Sequence, residues 1–459
     1  METVILLLEQ TFPVTYATMF RICDAESIKV KQCTSEYIKV DDVCRSWVAS
    51  KTLKYSCLQG NKYLVEKILG QGIQNINDYF IYACRGGNLD LVKWMMEEGV
   101  HDWNDGLMGA CQGGNLDMVE LMMERGADDW NEGLTGACLG GHLDLVTMMI
   151  VLGANNWDWG IQCACQGGNL ELVILMIQKG STYWNGGLMG ACEGGHLDLV
   201  NLMIEHGADD FDYGLEIACR KGNLDLVNLM IDWGASRWAC IAHACDKGHL
   251  DTVKLIIDRV GLQHVVAFLN DGLHAACMGG HIDLVNLLIE KDVDDWNCGL
   301  QGACMGGHIG LANLMIEHGA NDWNCGLRYA CEHGHLDLVN LMIDKGANDW
   351  KRGFSTACEC GHLDLVTLMI EHGANDWNDG LYRACKQGHY HIVKMMIERG
   401  ATKWNHGLYG ACFGGHLDLV KLMIEKGANN WNRGIEGAHY GRHSIIEQMM
   451  IDRENEKSK

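Results

Sequence analysis

Proline is almost absent from this 459-residue sequence, which contains one proline beside 57 glycines. A disordered glycine-rich chain normally contains proline and serine tracts as well, and none is present. Long apolar runs are also missing, because no stretch approaches the roughly 20 apolar residues that a helix needs to span a bilayer. With 48% apolar and 21% charged residues, the composition is typical of a folded globular protein. We infer that the glycines separate short helices and that no segment spans a membrane.

Positive charge is scarce, since 36 Lys and Arg stand against 60 Asp and Glu, a net charge of −24. An acidic surface repels phosphate backbones and anionic lipids, so neither nucleic acid nor a membrane is an expected partner. The first residues, METVILLLEQTF, lack a basic segment, and Glu9 interrupts their apolar run. We therefore expect no secretory signal and a cytoplasmic location. In such a reducing compartment the 22 cysteines are not expected to form disulfides.

Most of the cysteines mark one position of an internal repeat. Fourteen cysteines and one histidine share this position: Cys57, Cys84, Cys111, Cys138, Cys165, Cys192, Cys219, Cys245, Cys277, Cys304, Cys331, Cys358, Cys385, Cys412 and His439. The step is 27 residues except around Cys245, which lies 26 residues after Cys219 and 32 before Cys277. The sequence thus contains about fifteen units with the pattern D-W-N-x-G-L-x-x-A-C-x-x-G-H-L-D-L-V-x-L-M-I-E-x-G-A-N.

Each unit is predicted to form two short helices. In the eleventh unit Leu327 and Cys331 are four residues apart and share one helix face. Asn324 stands where we expect the N-cap of this first helix, and Gly334 stands where it ends. A second apolar helix follows, and no segment alternates with the period of a strand. Two such helices cannot bury their apolar faces alone, whereas stacked units can, which predicts an all-α solenoid.

The repeat resembles the ankyrin repeat, T-P-L-H-x-A-A-x-x-G-H-x-x-V-V-x-x-L-L-x-x-G-A-x, over roughly residues 50–455. The ankyrin period is about 33 residues. The residues missing here fall between "GAN" and "DWN", so the β-hairpin fingers of that family are expected to be shortened or absent. The near-identical "GHLDLV" units are similar in style to expanded ankyrin-like proteins of large DNA viruses of amoebae. The resemblance implies a non-enzymatic protein, in the host cytosol if viral, that binds a partner protein through a concave face lined by the first helices.

The repeat pattern divides the sequence into five segments. These are a non-repeat amino-terminal cap at residues 1–48, ankyrin-like repeats at 49–237, irregular repeats with a register break at 238–295, ankyrin-like repeats at 296–430, and a capping repeat and tail at 431–459. The extra residues near Phe268 are expected to lengthen a connector or to extend the preceding second helix. They would bend the solenoid, mark a fusion of two repeat blocks, or form a recognition loop.

Residues 1–48 permit an alternative to the scaffold function. The letters "VCRSW" at residues 43–47 resemble the end of an F-box, a module that recruits a ubiquitin-ligase core in related ankyrin proteins. The leading L-P motif of that module is missing, and Phe12-Pro13 stands in its place. The alternative function is therefore a substrate-recognition adaptor of a ubiquitin ligase. The other interpretation is a cap that covers the apolar end of the solenoid.

Histidine and cysteine recur at fixed positions, and each position permits a chemical and a structural interpretation. The repeat histidines are His142, His196, His249, His281, His308, His335, His362, His389 and His416. Zinc requires ligands about 2 Å from one centre, whereas histidines of neighbouring units lie roughly 10 Å apart. We therefore expect each histidine to fix a turn by bonding to the backbone rather than to hold a metal or relay protons. The repeat cysteine is expected to be a core residue of alanine-like size, and a reactive thiol elsewhere is the alternative. No catalytic or phosphate-binding motif is present, so no enzyme activity, cofactor or metal is expected, and a zinc- or redox-responsive protein is the remaining alternative.

An aromatic residue also occupies one position in most units. Its members are Trp103, Trp130, Trp157, Trp184, Phe211, Trp296, Trp323, Trp350, Trp377, Trp404 and Trp431. One interpretation is a row of buried struts that closes the short connector, and the other is an exposed ladder that binds a partner.

Recognition is expected at positions that vary between units. Seven residues of the eleventh, thirteenth and fourteenth units stand out against the acidic background: Arg328, Tyr329, Tyr382, Arg383, Lys386, Tyr409 and Phe413. Tyr and Arg are enriched at the hot spots of protein interfaces. These residues form the candidate partner-binding site of a monomeric scaffold, and the alternative is sequence drift on a solvated face.

Overall fold

The computed structural model describes residues 42–69 and 76–457 of the chain. Regular structure within these ranges consists of 30 α-helices and two short 3-10 helices, Ile76–Tyr79 and Trp238–Cys240, with no strand. The α-helices alternate between the first and the second helix of each repeat, which gives fifteen pairs. The predicted all-α repeat architecture without β-hairpin fingers is therefore confirmed.

The first helices contain the repeat cysteine position. They are α1 (Asp42–Leu58), α3 (Phe80–Gly86), α5 (Trp103–Gly113), α7 (Trp130–Gly140), α9 (Trp157–Gly167), α11 (Trp184–Gly194), α13 (Phe211–Lys221), α15 (Ile241–Asp246), α17 (Leu262–Gly279), α19 (Trp296–Gly306), α21 (Trp323–His333), α23 (Trp350–Cys360), α25 (Trp377–Gln387), α27 (Trp404–Gly414) and α29 (Trp431–Gly441).

The second helices begin after the repeat histidine or asparagine. They are α2 (Lys62–Leu69), α4 (Leu89–Glu97), α6 (Leu116–Arg125), α8 (Leu143–Leu152), α10 (Leu170–Gln178), α12 (Leu197–Glu205), α14 (Leu224–Asp232), α16 (Leu250–Val260), α18 (Ile282–Glu290), α20 (Ile309–Glu317), α22 (Leu336–Lys345), α24 (Leu363–Glu371), α26 (Tyr390–Glu398), α28 (Leu417–Glu425) and α30 (Ser444–Lys457). None of the described helices is both long and apolar enough to cross a bilayer.

The start of the first helix differs from the sequence-based expectation. Asp322 is the N-cap of α21, and its carboxylate accepts a hydrogen bond of 3.1 Å from the backbone N–H of Cys325. The assignment of Asn324 as N-cap was wrong, because the helix already begins at Trp323. The Asn324 side-chain oxygen instead accepts hydrogen bonds from the backbone N–H groups of Asn348 and Asp349 in the next repeat, at 2.8 and 2.9 Å. This asparagine therefore ties consecutive repeats together.

The same asparagine bridge recurs along the chain, and we call it the asparagine ladder. Each member accepts from the two backbone N–H groups 24 and 25 residues further on: Asn104, Asn131, Asn185, Asn297, Asn324, Asn378 and Asn405. Lys351 interrupts the ladder and lies 3.7 Å from the Asp376 carboxylate instead. The connectors are short, and the ladder holds them against the preceding repeat.

The core of each repeat is built from the positions that the helical periodicity indicates. In the eleventh repeat Leu327, Cys331, Val339 and Met342 are all fully buried. Burial raises the pKa of Cys331 to about 12, so this thiol stays protonated. The prediction that the repeat cysteine is a core residue is confirmed.

Consecutive first helices approach each other closely at a recurring glycine. A Cβ atom on Gly302 of α19 would lie 2.2 Å from the backbone oxygen of His274 in α17. Gly136 and Gly190 meet the preceding first helix in the same way, at 2.1 Å. Only glycine permits this contact, because a side chain would push the two backbones apart.

The register break does not form the longer connector that was one of our two expectations. The second helix α16 is extended, with 11 residues where the neighbouring α14 and α18 have 9. Most of the extra residues extend the following first helix, α17, which has 18 residues where the neighbouring α19 has 11. Gly261, with a φ of 93°, separates α16 from α17. The apolar side chains of Val265 and Leu269 are fully buried and anchor the added turns. The described residues therefore form no recognition loop here.

The chain divides into two compact units. One spans Met1–Ala218 with Asn223–Ser236 and the other Cys219–Gly222 with Arg237–Lys459, as far as the structure describes them. Within each unit first helices pack on first helices, and second helices pack on the first helix of their own repeat, as α22 does on α21. The candidate partner-binding residues all belong to the second unit.

Candidate functional site

The repeat histidine links neighbouring repeats. The Nε2 atom of His389 lies 2.9 Å from the backbone oxygen of Glu359, and that of His335 lies 3.1 Å from the oxygen of Met305. Because a carbonyl only accepts, Nε2 must carry the proton. His249, His281 and His362 form the same contact, always with the residue that follows the cysteine position of the preceding repeat. The prediction of a backbone-bonded histidine is confirmed, with the addition that the bond crosses a repeat boundary.

Asparagine replaces this histidine in several repeats, where it caps its own helix or donates to the preceding repeat as histidine does. The Oδ1 atoms of Asn88 and Asn169 accept hydrogen bonds from N–H groups in the first turn of their own helices, at 2.9 and 3.0 Å. The Asn115 side chain donates instead to the oxygen of Arg85, at 3.3 Å. Among the described residues, no three His, Cys, Asp or Glu side chains converge in an arrangement that would hold a metal ion.

The repeat tryptophans are half-buried for the most part, and Trp431 is buried. Trp184, Trp296 and Trp350 stack on a histidine at the end of the second helix of their own repeat, with ring centroids 4.7 Å apart. One face of each of these tryptophan rings is therefore covered by a histidine of the same repeat. This arrangement agrees with the strut interpretation better than with an exposed ladder.

Four of the seven candidate binding residues lie together. The rings of Tyr382 and Tyr409 stack with centroids 6.4 Å apart, and Tyr409 lies at the same distance from Phe413. The Lys386 ammonium is 5.3 Å from the centroid of Phe413. All four side chains are partly exposed on the consecutive first helices α25 and α27. We call the three rings Tyr382, Tyr409 and Phe413 the aromatic shelf.

The other three candidate residues have different surroundings. Arg383 is bonded to Asp379 on its own helix, at 2.8 Å, and to Glu359 on α23, at 2.5 Å, so it connects two first helices. The Arg328 guanidinium lies 3.8 Å from the Tyr329 ring, two repeats before the aromatic shelf, and pairs with Glu332. These cations are neutralised within the protein.

Two residues near the aromatic shelf were missed in the sequence analysis. The Arg433 guanidinium carbon lies 5.1 Å from the Tyr409 ring centroid. Tyr440 occupies the repeat position of Phe413, one repeat later, and is 65% exposed. Both lie in α29, whose cysteine position is His439, and this departure led to its assignment as a cap. Extending the repeat position of Phe413 into this last repeat would have identified Tyr440.

A cavity of about 330 Å³ lies beside the shelf, between α27 and α29. Three of its lining residues are the basic Lys403, His406 and Arg433. Partial burial, followed by the charges of Arg433 and Lys403, lowers the pKa of His406 below its usual value. Lys403 also occupies the N-cap position of α27, where the two preceding repeats have aspartate. We call this feature the basic cavity.

Comparison with protein-family models identifies the type of these repeats. Residues 215–435 match a family model described as "Ankyrin repeats (3 copies)", in five overlapping segments. Residues 215–435 are therefore ankyrin repeats. The matched ankyrin repeats include the aromatic shelf and the Lys403, His406 and Arg433 side chains of the basic cavity. The earlier helix pairs, from α3 onward, have the same two-helix construction.

Other comparisons add little to the ankyrin assignment. No curated protein matches the sequence. The ankyrin repeat domain of human ASB11 is 24% identical, with 39% of this chain and 96% of that chain covered and a TM-score of 0.31. A structure described as a circular tandem repeat protein with novel repeat topology and enhanced subunit contact surfaces is 15% identical, with 91% and 92% covered and a TM-score of 0.12. Both TM-scores are too low to support an inference about this chain from either structure.

The adaptor alternative falls mostly on residues that the structure does not describe. Residues 1–41 lie outside the described ranges, and residues 42–48 belong to α1. The F-box resemblance at residues 43–47 stays a prediction, as do the segment boundaries drawn from the sequence of this ankyrin-repeat protein.

Proposed function

We propose that this ankyrin-repeat protein is a non-enzymatic scaffold that binds a partner protein through its first-helix face, centred on the aromatic shelf. Ankyrin repeats generally mediate protein–protein interaction. The observation that carries the proposal is the packing of Tyr382, Tyr409 and Phe413 into one partly exposed surface on consecutive first helices. Tyrosine is enriched at interface hot spots, which supports this choice.

The rings of the shelf contact other side chains within the protein. Each ring contacts another ring, and Lys386 lies against Phe413. Arg383, the residue after Tyr382, connects α23 and α25 through its two carboxylate partners. Fixing a mobile side chain on binding costs about 0.5–1.5 kcal/mol, so contacts that already hold the rings reduce this penalty. Arg383 therefore supports the site by positioning, whereas the rings supply the contact area.

The remaining expectations about the scaffold form part of the same proposal. We propose that the protein acts as a monomer in the cytoplasm and that its partner is a host protein if the source is viral. The concave face implied by the ankyrin resemblance is the surface on which the shelf is expected to lie. Arg328 and Tyr329 would extend the contact toward the eleventh repeat.

The test compares partner capture by three forms of the purified full chain. The shelf variant carries Tyr382→Ala, Tyr409→Ala and Phe413→Ala. The control variant carries Tyr183→Ala, Tyr213→Ala and Tyr390→Ala, three tyrosines that are 45%, 38% and 41% exposed at other positions. Proteins captured from a cytosolic extract are identified by mass spectrometry, and the affinity of the purified partner is then measured.

The expected result is a loss of affinity of roughly 30-fold or more in the shelf variant, the size that hot-spot residues produce. The control variant should bind like the unchanged protein, and circular dichroism should show the same helix content for all three. Equal binding by the shelf variant, or equal loss in the control variant, would contradict the proposal.

A further inference from the structure

The sign of the local charge reverses in the repeats that carry the shelf. Residues 377–441 contain eight Lys or Arg and five Asp or Glu, a formal charge of +3. The three preceding repeats, residues 296–376, contain four Lys or Arg and ten Asp or Glu, a formal charge of −6. The charge of the whole chain is −24. A positive region of about two and a half repeats therefore stands within an acidic protein.

The basic cavity concentrates this charge at one place. Arg383 and Lys386 each lie within 4.0 Å of the Glu359 carboxylate. Within the described ranges, no carboxylate forms such a pair with Lys403 or Arg433. The pKa of His406 is lowered first by burial. The positive charges of Arg433 and Lys403 lower it further, because they disfavour the protonated ring. The positive charge of this cavity is thus available to an anionic group from outside.

Arg433 belongs to both features. Its guanidinium lines the basic cavity and also lies 5.1 Å from the Tyr409 ring. The shelf and the cavity are therefore one continuous surface on α25, α27 and α29, with apolar rings on one side and cations on the other. A ligand that fills both must carry an apolar or aromatic group next to an anionic one.

We propose that this surface binds a short acidic peptide segment of a partner protein, with an aromatic side chain on the shelf and a carboxylate in the basic cavity. The inference rests on the proposed scaffold function and names the chemistry of its partner. Charge-assisted bonds from guanidinium and ammonium groups to carboxylate are stronger than neutral ones. Electrostatic complementarity of this kind accelerates encounter and excludes partners with the wrong charge.

The extent of the positive region favours a short peptide over longer polyanions. A nucleic acid or a membrane surface would extend from residues 377–441 onto the preceding repeats, where the formal charge is −6. Repulsion there would oppose binding. A peptide segment is confined to the shelf and the cavity, so it meets only the positive region.

The test uses fluorescent peptides of about ten residues and the full chain. The probe peptide alternates glutamate pairs with tryptophan. Three matched peptides replace every glutamate by lysine, every tryptophan by alanine, or every glutamate by phosphoserine. Fluorescence anisotropy gives the dissociation constant of each peptide at low and at high salt.

Charge reversal of the cavity provides the decisive variant. Lys403→Glu places negative charge at the N-cap of α27 and Arg433→Glu places it in the first turn of α29. Negative charge at a helix N-terminus favours the helix, so the variant is expected to fold. The matched control carries Lys345→Glu and Arg352→Glu, which changes the net charge equally. Arg352 occupies the repeat position of Arg433 and lies outside the positive region.

The expected result is saturable binding of the probe that weakens at least about ten-fold in the cavity variant and in a Tyr409→Ala, Phe413→Ala variant. Binding should change less than about two-fold in the control and should weaken at high salt. Lysine or alanine peptides should bind more weakly than the probe. Absence of saturable binding, or equal binding by the cavity variant, would overturn the inference.

Two further outcomes would also overturn it and assign a different ligand. Tighter binding of the phosphoserine peptide through the same residues would indicate a phosphorylated segment. Tighter binding of single-stranded RNA or of anionic vesicles would indicate a polyanion. If the probe fails while the shelf variant still loses its captured partner, the scaffold function stands and only the acidic-peptide inference falls.

Discussion

Repeat histidines such as His335, His362 and His389 donate one hydrogen bond across a repeat boundary. This contact explains why asparagine is the residue that replaces histidine. Both side chains can donate to the carbonyl oxygen of the preceding repeat, as His389 and Asn115 do. Asparagine can also cap its own helix, as Asn88 does. Histidine adds a titratable group, and for two of these rings the fold favours the neutral form.

We expect the protein to lose stability as the pH falls below neutrality. Burial, the largest cause, lowers the pKa of His308 and His416 below the ordinary value of 6.5. The unfolded chain then binds more protons below pH 6.5, so the stabilisation is complete above that pH and is lost as the pH falls through the folded-state pKa values. The urea midpoint should therefore be lower at pH 5.5 than at pH 7.5.

A double variant with His308→Asn and His416→Asn provides the control for this pH effect. Asparagine keeps a donor but does not titrate, so the change in urea midpoint between pH 7.5 and pH 5.5 should become smaller. An unchanged pH dependence would show that these histidines do not control it.

The candidate site shows what the sequence can and cannot predict about single residues. The 27-residue spacing of Tyr382 and Tyr409 predicts that they share one face, and their rings do stack. The role of Arg383 could not be predicted, because its bond to Glu359 depends on how closely α23 and α25 approach. Arg433 was missed for a similar reason, since its contact with Tyr409 reaches from one repeat back to another.

At the scale of the helix, hydrogen bonds to the neighbouring repeat decide which polar residues recur. The sequence predicted two helices per repeat, because apolar periodicity depends only on local spacing. It misplaced the N-cap, because asparagine suits a cap as well as aspartate does and only the next repeat shows what Asn324 binds. The register break was misjudged because its apolar residues fit either neighbouring helix.

The asparagine ladder leads to a prediction about one element. Asn324→Ala removes the acceptor for the N–H groups of Asn348 and Asp349, and we expect a loss of about 1–2 kcal/mol in the free energy of unfolding. Asn324→Asp keeps an oxygen at that place, as Asp212 does naturally for the N–H of Ser236. Urea unfolding followed by circular dichroism measures both variants, and an equal loss in both would contradict the role of the acceptor.

The close approach of first helices yields a second prediction at this scale. Gly302→Ala would place a methyl group 2.2 Å from the backbone oxygen of His274, so α17 and α19 must move apart at a cost of about 1–3 kcal/mol. Gly326→Ala would meet the flexible Met342 side chain instead, at 2.5 Å, and also gains helix propensity. Thermal unfolding should rank Gly302→Ala as the less stable variant, and the opposite order would refute this explanation.

At the scale of the whole molecule, stability depends more on the constant sequence offsets of the bonds between repeats than on any single repeat. Histidine bonds reach back 30 residues at His335, His362 and His389, and asparagine bonds reach forward 24 and 25. Stability in such arrays depends on neighbouring repeats, so a repeat can be removed if all offsets are preserved.

Deletion of residues 323–349 tests this property. It removes one 27-residue period and joins Asp322 to Trp350, so that Asp322 replaces Asp349 as the N-cap and His362 faces the oxygen of Met305. We expect a folded protein with slightly lower stability, measured by urea unfolding. Deletion of residues 323–336, half a period, should abolish the cooperative transition. Loss of folding in the full-period deletion would contradict the prediction.

The net charge of the whole molecule predicts only part of the chemistry of the partner. The net charge of −24 disfavours polyanions, but it is a sum over the chain, whereas recognition depends on local charge. Counting by repeats shows the positive segment at residues 377–441 from the sequence alone. Which cations in it remain unpaired required the positions of Glu359 and Asp379 in the fold.

The buried sulfur of nearly every repeat has a consequence for handling the protein. While the helices stay packed, a thiol such as Cys331 is shielded from air and from reagents. Once the chain opens, that protection ends for many sulfurs at once, and exposed thiols exchange and cross-link by oxidation. Heating without a reductant would thus convert a reversible transition into an irreversible one. The lifetime of the protein outside reducing conditions is then set by how fast it opens.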